Sequence, residues 1–163
     1  MKQTFAKRSL GQNFLVDTVY IERIVAALDI QPGETIVEIG PGRGALTEKL
    51  VESPANIIAL ELDRNFVPLL RDRFIASQNF RIVEADALEI DLEKLIAEDP
   101  NSERHTPQTK LIANLPYYIS TAILQKLIEQ RHVFSSMVLM FQKEVVDRIT
   151  SLPGNSDRGF LTV

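Results

Sequence analysis

Five short apolar runs, each followed by residues at helical spacing, constrain this chain more than any other feature. The runs are "TIVEIG" at 35–40, "NIIALEL" at 56–62, "FRIVEA" at 80–85, "KLIANL" at 110–115 and "SSMVLMF" at 135–141. They are short, rich in β-branched residues and nearly continuous in apolar character. Strands buried on both faces of a parallel sheet read that way. Between them lie helical patterns. Asp17 stands where it can cap a helix carrying Ile21, Ile24, Val25 and Leu28 on one face. "PGRGALTEKLV" opens a second helix. Asp63 starts a third, with Phe66, Leu69, Leu70 and Phe74 on one side and Pro68 tolerable only in its first turn. A short helix is expected near 91–97. Ser120 is expected to cap one bearing Ile123, Leu124, Leu127 and Ile128, and "KEVVDRIT" forms the last. Strand and helix alternating in this way predict an open α/β domain with a mainly parallel sheet.

Residues 1–16 read as a polar, basic arm, with Lys2, Lys7 and Arg8 and no acid before Asp17. Residues 17–163 read as one domain, and a hydrophobic content of 45% can fill its core. The net charge of −4 argues against a basic footprint spread over the whole surface. The absence of cysteine excludes disulfides and thiolate zinc sites. His105 and His132 are isolated, so no metal is expected. The N-terminus lacks an apolar signal core and no run approaches eighteen apolar residues, so a cytoplasmic protein without a membrane partner is expected.

In open α/β sheets, ligands bind outside the carboxyl ends of the strands. The first strand ends in "EIGPGRG", where Gly40, Gly42 and Gly44 alternate and permit a tight turn and close approach of a ligand. The second ends in Glu61, placed to accept both hydroxyls of a ribose. The third ends in "EADA", where Asp86 can accept from an exocyclic adenine amine. The dinucleotide fingerprint spaces its glycines G-x-G-x-x-G, whereas here the spacing is G-x-G-x-G behind Glu38, which counts against a nicotinamide dehydrogenase. The pattern resembles the first motif of class I S-adenosylmethionine-dependent methyltransferases, a Rossmann-like fold. An amino-acid amine in place of a pyrophosphate also makes sense of the additional acid.

The fourth strand ends in "NLPYYIS", which resembles the [DN]-P-P-[YF] motif of methyltransferases acting on the amino groups of bases. The amine of adenine is a poor nucleophile. Asn114 and the carbonyl of Leu115 can accept its two hydrogens, Pro116 fixes the turn, and Tyr117 offers a ring for a flipped base.

"SLGQNFLVD", "EIGPGRGALT", "ALELD", "EADAL", "NLPYYIST" and "FQKEVVDRI" together resemble, in order and spacing, the KsgA family of small-subunit ribosomal RNA adenine dimethyltransferases. The resemblance covers nearly the whole chain. It implies that Gln12, Asn13 and Leu15 lie near the cofactor, beside Gly40, Gly42, Glu61, Asp86 and Asn114. It implies N6 dimethylation of two adjacent adenines in the RNA of an immature small subunit, by a monomer, with S-adenosylhomocysteine as product. The related Erm enzymes of the large subunit are the alternative, and a non-catalytic S-adenosylmethionine-binding ribosome or transcription factor is another. The family pattern also runs past "GFLTV" to two further strands, an F-x-P-x-P-K-V segment and a small helical domain. The expectation is therefore a catalytic-domain fragment of low activity, its sheet lacking the last strands and its fifth strand an open edge.

Overall fold

The computed structural model describes residues 15–100, 108–115 and 119–152. Among them, five strands form one wholly parallel sheet: β1 (Thr35–Ile39), β2 (Asn56–Glu61), β3 (Phe80–Glu84), β4 (Thr109–Asn114) and β5 (Ser136–Met140). Their order in the sheet is β3-β2-β1-β4-β5. The chain moves outward from β1 through β2 to β3, then crosses back to pair β4 with the other side of β1. The β1–β4 boundary is thus the switch point, where a crevice opens at the carboxyl ends of the strands. Helices α1 (Thr18–Ala26), α2 (Ala45–Leu50), α3 (Phe66–Arg73), α4 (Leu92–Ala97), α5 (Ser120–Glu129) and α6 (Lys143–Ile149), with a short 3-10 helix at Arg131–Val133, complete the described elements.

Strand side chains alternate between faces, so register decides which residues share a layer. Ile36 pairs with Ile57, and both pack with Ile112, Leu46 and Leu50 under α1 and α2. Val37, Ile39, Ile58, Leu60, Leu111 and Ala113 face the opposite layer, with Ile123 and Leu127 of α5 and Leu92 and Leu95 of α4. Each fully buried Leu or Ile contributes about 1.5–3 kcal/mol. β1, in the centre, is buried at every position, whereas the outer strands β3 and β5 contain no fully buried residue. β5 is an edge among the described residues, as expected.

The parity has a consequence for the polar residues. Glu38 follows Ile36 by two positions, Glu61 follows Ile57 by four, and Asn114 follows Ile112 by two. All three side chains therefore lie on the α1–α2 face, near the carboxyl end of the sheet.

The local signals hold in part. Asp17 caps α1, its Oδ1 accepting from Val19 N at 2.9 Å. Asp91 caps α4 through Lys94 N at 3.0 Å. Pro68 is the third residue of α3, within the first turn, where its missing N–H costs nothing. Asp63 does not begin α3. It makes a tight turn, accepting from Asn65 N at 3.0 Å, and the helix starts at Phe66. Ser120 is not the cap of α5 but its first residue, buried, with Ile119 preceding it. The buried side of α3 holds Val67 with Phe66 and Leu70, and leaves Leu69 exposed, because the helix is clamped between α2 and the outer strand. Ile128 of α5 is likewise exposed.

At the amino end of the sheet, the buried Lys110 of β4 meets the buried Glu34 at 2.9 Å and donates to Asp29 O at 2.7 Å. No helix among the described residues is long and apolar enough to cross a membrane. No group of three His, Asp or Glu among them converges as a metal site.

Candidate functional site

The crevice at the switch point has a volume of about 420 Å³. Its floor is the turn after β1. Gly44 N donates to Pro41 O at 2.8 Å, closing a tight loop. Gly40 has φ +70°, a backbone region L-residues rarely adopt, and its N–H donates to Leu60 O at 2.9 Å. A Cβ at Gly40 would meet only Asn114 O, at an ordinary 3.9 Å, so its positive φ and not crowding calls for glycine there. Gly44 serves a different purpose from the one its spacing suggested. A Cβ there would lie 2.7 Å from Leu70 Cδ2 and 3.1 Å from Phe74 Cε2, so its bare backbone admits α3 and not a ligand. Arg73 of α3 holds the turn from outside, donating to Arg43 O at 2.9 Å and to Glu48 Oε2 at 2.7 Å.

Glu61 is oriented by the main chain. Gly42 N donates to its Oε2 at 2.9 Å and Asp63 N to its Oε1 at 2.8 Å. Each oxygen keeps a second lone pair for a ligand. Burial pushes its carboxyl above the usual range. The Asp63 and Gly42 N–H groups pull it down, and the nearby Asp63 charge pushes it up. Glu38 is 1% exposed and also lines the crevice. Its Oε2 accepts from the Thr47 hydroxyl at 2.7 Å. Burial raises its pKa to about 7, with the Thr47 bond lowering it and the Glu61 charge raising it.

Of the residues expected at a site, Leu15, Gly40, Gly42, Glu61, Asp86, Asn114 and Leu115 all line this one crevice. Gln12, Asn13, Pro116 and Tyr117 lie outside the described residues. Asp86 Oδ1 accepts from Leu88 N at 2.8 Å, so part of its role is to shape the loop after β3. Leu115 is also core, 4% exposed under α5. Glu38 was legible as a motif acid but not as a wall of the crevice. The signal was its period: two residues before Gly40, on the face away from Val37 and Ile39. Seven charged residues line the crevice: carboxylates Glu38, Glu48, Glu61, Asp63 and Asp86, against Arg43 and Arg73. Arg73 is already paired with Glu48, so the interior is acidic.

A parallel sheet ordered 3-2-1-4-5, with a glycine turn after β1 and acids after β2 and β3, is the fold of class I methyltransferases. An RNA methyltransferase from Salinibacter ruber in complex with S-adenosyl-L-homocysteine has the same fold, at TM-score 0.54 and 15% identity over 72% of this chain and 71% of its own. The family model for ribosomal RNA adenine dimethylase matches residues 4–163, and the chain belongs to that family. A relative from Geobacter metallireducens named ribosomal RNA small subunit methyltransferase A is 47% identical over 97% of this chain and 56% of its own length. The protein of that name from Streptococcus gordonii is 45% identical over 96% of this chain and 53% of its own. The chain thus spans about half the length of the curated relatives it matches. Among solved structures, a dimethyladenosine transferase from Plasmodium falciparum matches with TM-score 0.76 and 29% identity, over 92% of this chain and 50% of its own. The 23S rRNA methyltransferase ErmE matches with TM-score 0.65 and 26% identity, over 83% and 50%.

Proposed function

We propose that the crevice binds S-adenosylmethionine and that the chain carries the methyl-transfer domain of a small-subunit ribosomal RNA adenine dimethyltransferase. The observation that carries the cofactor reading is the charge of the lining. Beside the Glu48–Arg73 pair, four carboxylates, Glu38, Glu61, Asp63 and Asp86, line the crevice against the single guanidinium of Arg43. A dinucleotide would bring a pyrophosphate into that field, whereas S-adenosylmethionine brings an ammonium and a sulfonium. The clearance over Gly40 and the remaining acceptor capacity of Glu61 and Asp86 suit a nucleoside lying across the strand ends. In this reading Glu61 takes the ribose hydroxyls, Asp86 the adenine amine and Glu38 the amino-acid ammonium. Leu15 lines one side, and the family resemblance adds Gln12 and Asn13 of the arm at 1–16 to the cofactor contacts.

When bound, the cofactor supplies an electrophilic methyl group. The chain's part is to orient a weak nucleophile. The side-chain oxygen of Asn114 and the carbonyl of Leu115 accept the two hydrogens of the target amine, Pro116 keeps that corner rigid, and Tyr117 stacks on the extruded base. No general base is required at a charged state. The resemblance of "NLPYYIS" supports the amine of a base as acceptor, the names of the relatives support small-subunit RNA, and the family resemblance implies two adjacent adenines. The substrate would be an immature subunit in the cytoplasm and the enzyme a monomer. The test is transfer of labelled methyl groups to immature small subunits by the chain extended to the length of its relatives. Asn114→Ala should lose most turnover while binding S-adenosylmethionine nearly normally. Transfer at the parent rate would overturn the acceptor assignment. Transfer to large-subunit RNA instead would favour the Erm-type alternative, and binding without transfer a non-catalytic factor.

A further inference from the structure

Among the described residues, no cation pairs with the Glu38 carboxylate in the crevice. Its Oε2 accepts from the Thr47 hydroxyl at 2.7 Å, and Thr47 is completely buried on α2. The other charged groups around the crevice are Arg43, Glu48, Glu61, Asp63, Arg73 and Asp86, and most repel a second negative charge. A buried hydroxyl has two options beside a carboxyl group. It donates to the ionised form, or it accepts from the protonated one. Donation favours ionisation, and a carboxylate so held is ready for an incoming cation.

We infer that Thr47 is a positioning residue that holds Glu38 as an oriented carboxylate, and so tunes the crevice for the ammonium of its ligand. The inference rests on the cofactor reading above, and it extends that reading to a residue that does not itself line the crevice. Burial, with the Glu61 charge, pushes Glu38 up to about 7 even with the Thr47 bond pulling it down, so its charge state is balanced near neutrality. Loss of one hydrogen bond there has a large effect on occupancy of the ionised form. Threonine suits the position because its methyl packs where its hydroxyl is committed. Valine keeps the shape and deletes only the donor, and serine keeps the donor and deletes only the methyl.

Two measurements test this independently. The first needs no ligand: carboxyl carbon NMR titration of Glu38 in the free protein. Thr47→Val should move the midpoint upward by about one pH unit or more, and Thr47→Ser should restore it. An unmoved midpoint overturns the inference. The second is S-adenosylmethionine affinity as a ratio of variant to parent, which cancels titration of the ligand's own amine. For Thr47→Val the ratio should be on the order of tenfold weaker at pH 6.5, since a hydrogen bond to a charged group is at stake. It should shrink toward unity by pH 9, where Glu38 ionises in both proteins. In a Glu38→Gln background Thr47→Val should add nothing. A ratio independent of pH, or an undiminished effect in that background, would mean Thr47 serves packing only. Should the parent fail to bind S-adenosylmethionine while the NMR midpoint still moves, the cofactor reading falls and the control of Glu38 by Thr47 stands.

Discussion

Glu34 and Glu38 lie four residues apart, both almost wholly buried, at opposite ends of the same strand region. Their surroundings could hardly differ more. Glu34 meets Lys110 at 2.9 Å, accepts from Gln31 N at 2.8 Å, and that lysine is itself tied to Asp29 O. The charge is neutralised inside the molecule, at the closed amino end of the sheet. Glu38 has a hydroxyl for a neighbour and more carboxylates around it. Removing an ion from water costs several kcal/mol, and Glu34 offsets part of this through Lys110, its Oε2 bonded and its buried Oε1 not. Glu38 recovers it from a proton or from whatever enters the crevice. Burial of an acid is thus not by itself a mark of function. Burial without a cation, at the strand ends where ligands bind, is the informative combination.

The comparison breaks most visibly at the lysine. Lys110→Ala leaves Glu34 charged and buried with no counter-ion, and should destabilise the fold by about 3–5 kcal/mol in urea unfolding. Replacing both by well-packed apolar residues, Lys110→Met with Glu34→Leu, should recover most of that loss. A mild effect of the single change would mean the amino-end pair is no better compensated than Glu38.

The second prediction concerns pH. Glu38 is raised from 4.5 to about 7 in the folded chain, so the folded state binds its proton more tightly than the unfolded state. The stability linked to that proton is fully present below about 4.5 and is lost as pH rises through about 7. Glu38→Gln never loses it. The variant should therefore gain up to about 3 kcal/mol over the parent at pH 8, and little at pH 4.5, while binding the cofactor more weakly. Parallel pH–stability curves for the two proteins would contradict the assignment.

A third expectation sharpens the contrast on the ligand side. Glu61→Ala removes an acceptor pinned by Gly42 N and Asp63 N. S-adenosylmethionine affinity in calorimetry should fall by about ten- to a hundredfold, the worth of a charge-assisted hydrogen bond. Unchanged affinity would remove Glu61 from the site. The smallest effect should come from an exposed acid. Glu84 pairs with Arg64 at 2.8 Å, but both side chains are in solvent. Glu84→Gln should change unfolding free energy by less than about 1 kcal/mol, and less still at high salt. A larger loss would show that charge pairing counts here regardless of burial.

The sequence alone determined the five strands, the helices between them, the cap at Asp17, and the cluster of residues at the strand ends. These follow from local rules: side-chain periods of 2 and 3.6, capping chemistry, and the conformational freedom of glycine. They also determined which residues share a face, because alternation along β1 separates Ile36 and Glu38 from Val37 and Ile39 whatever β1 pairs with. What only the tertiary structure decided was partnership. Lys110 finds Asp29 across 81 residues and Gly42 finds Glu61 across 19. Neither pairing is foreseeable before the strand order is known. The same holds for Gly44, whose bare backbone answers to Leu70 and Phe74, and for the exchange of Leu69 for Val67 on the buried side of α3. Both depend on how closely α3 approaches the glycine turn. Charge state lies in the same category: Glu34 and Glu38 are the same letter, and the field that distinguishes them is assembled from side chains on other strands and helices.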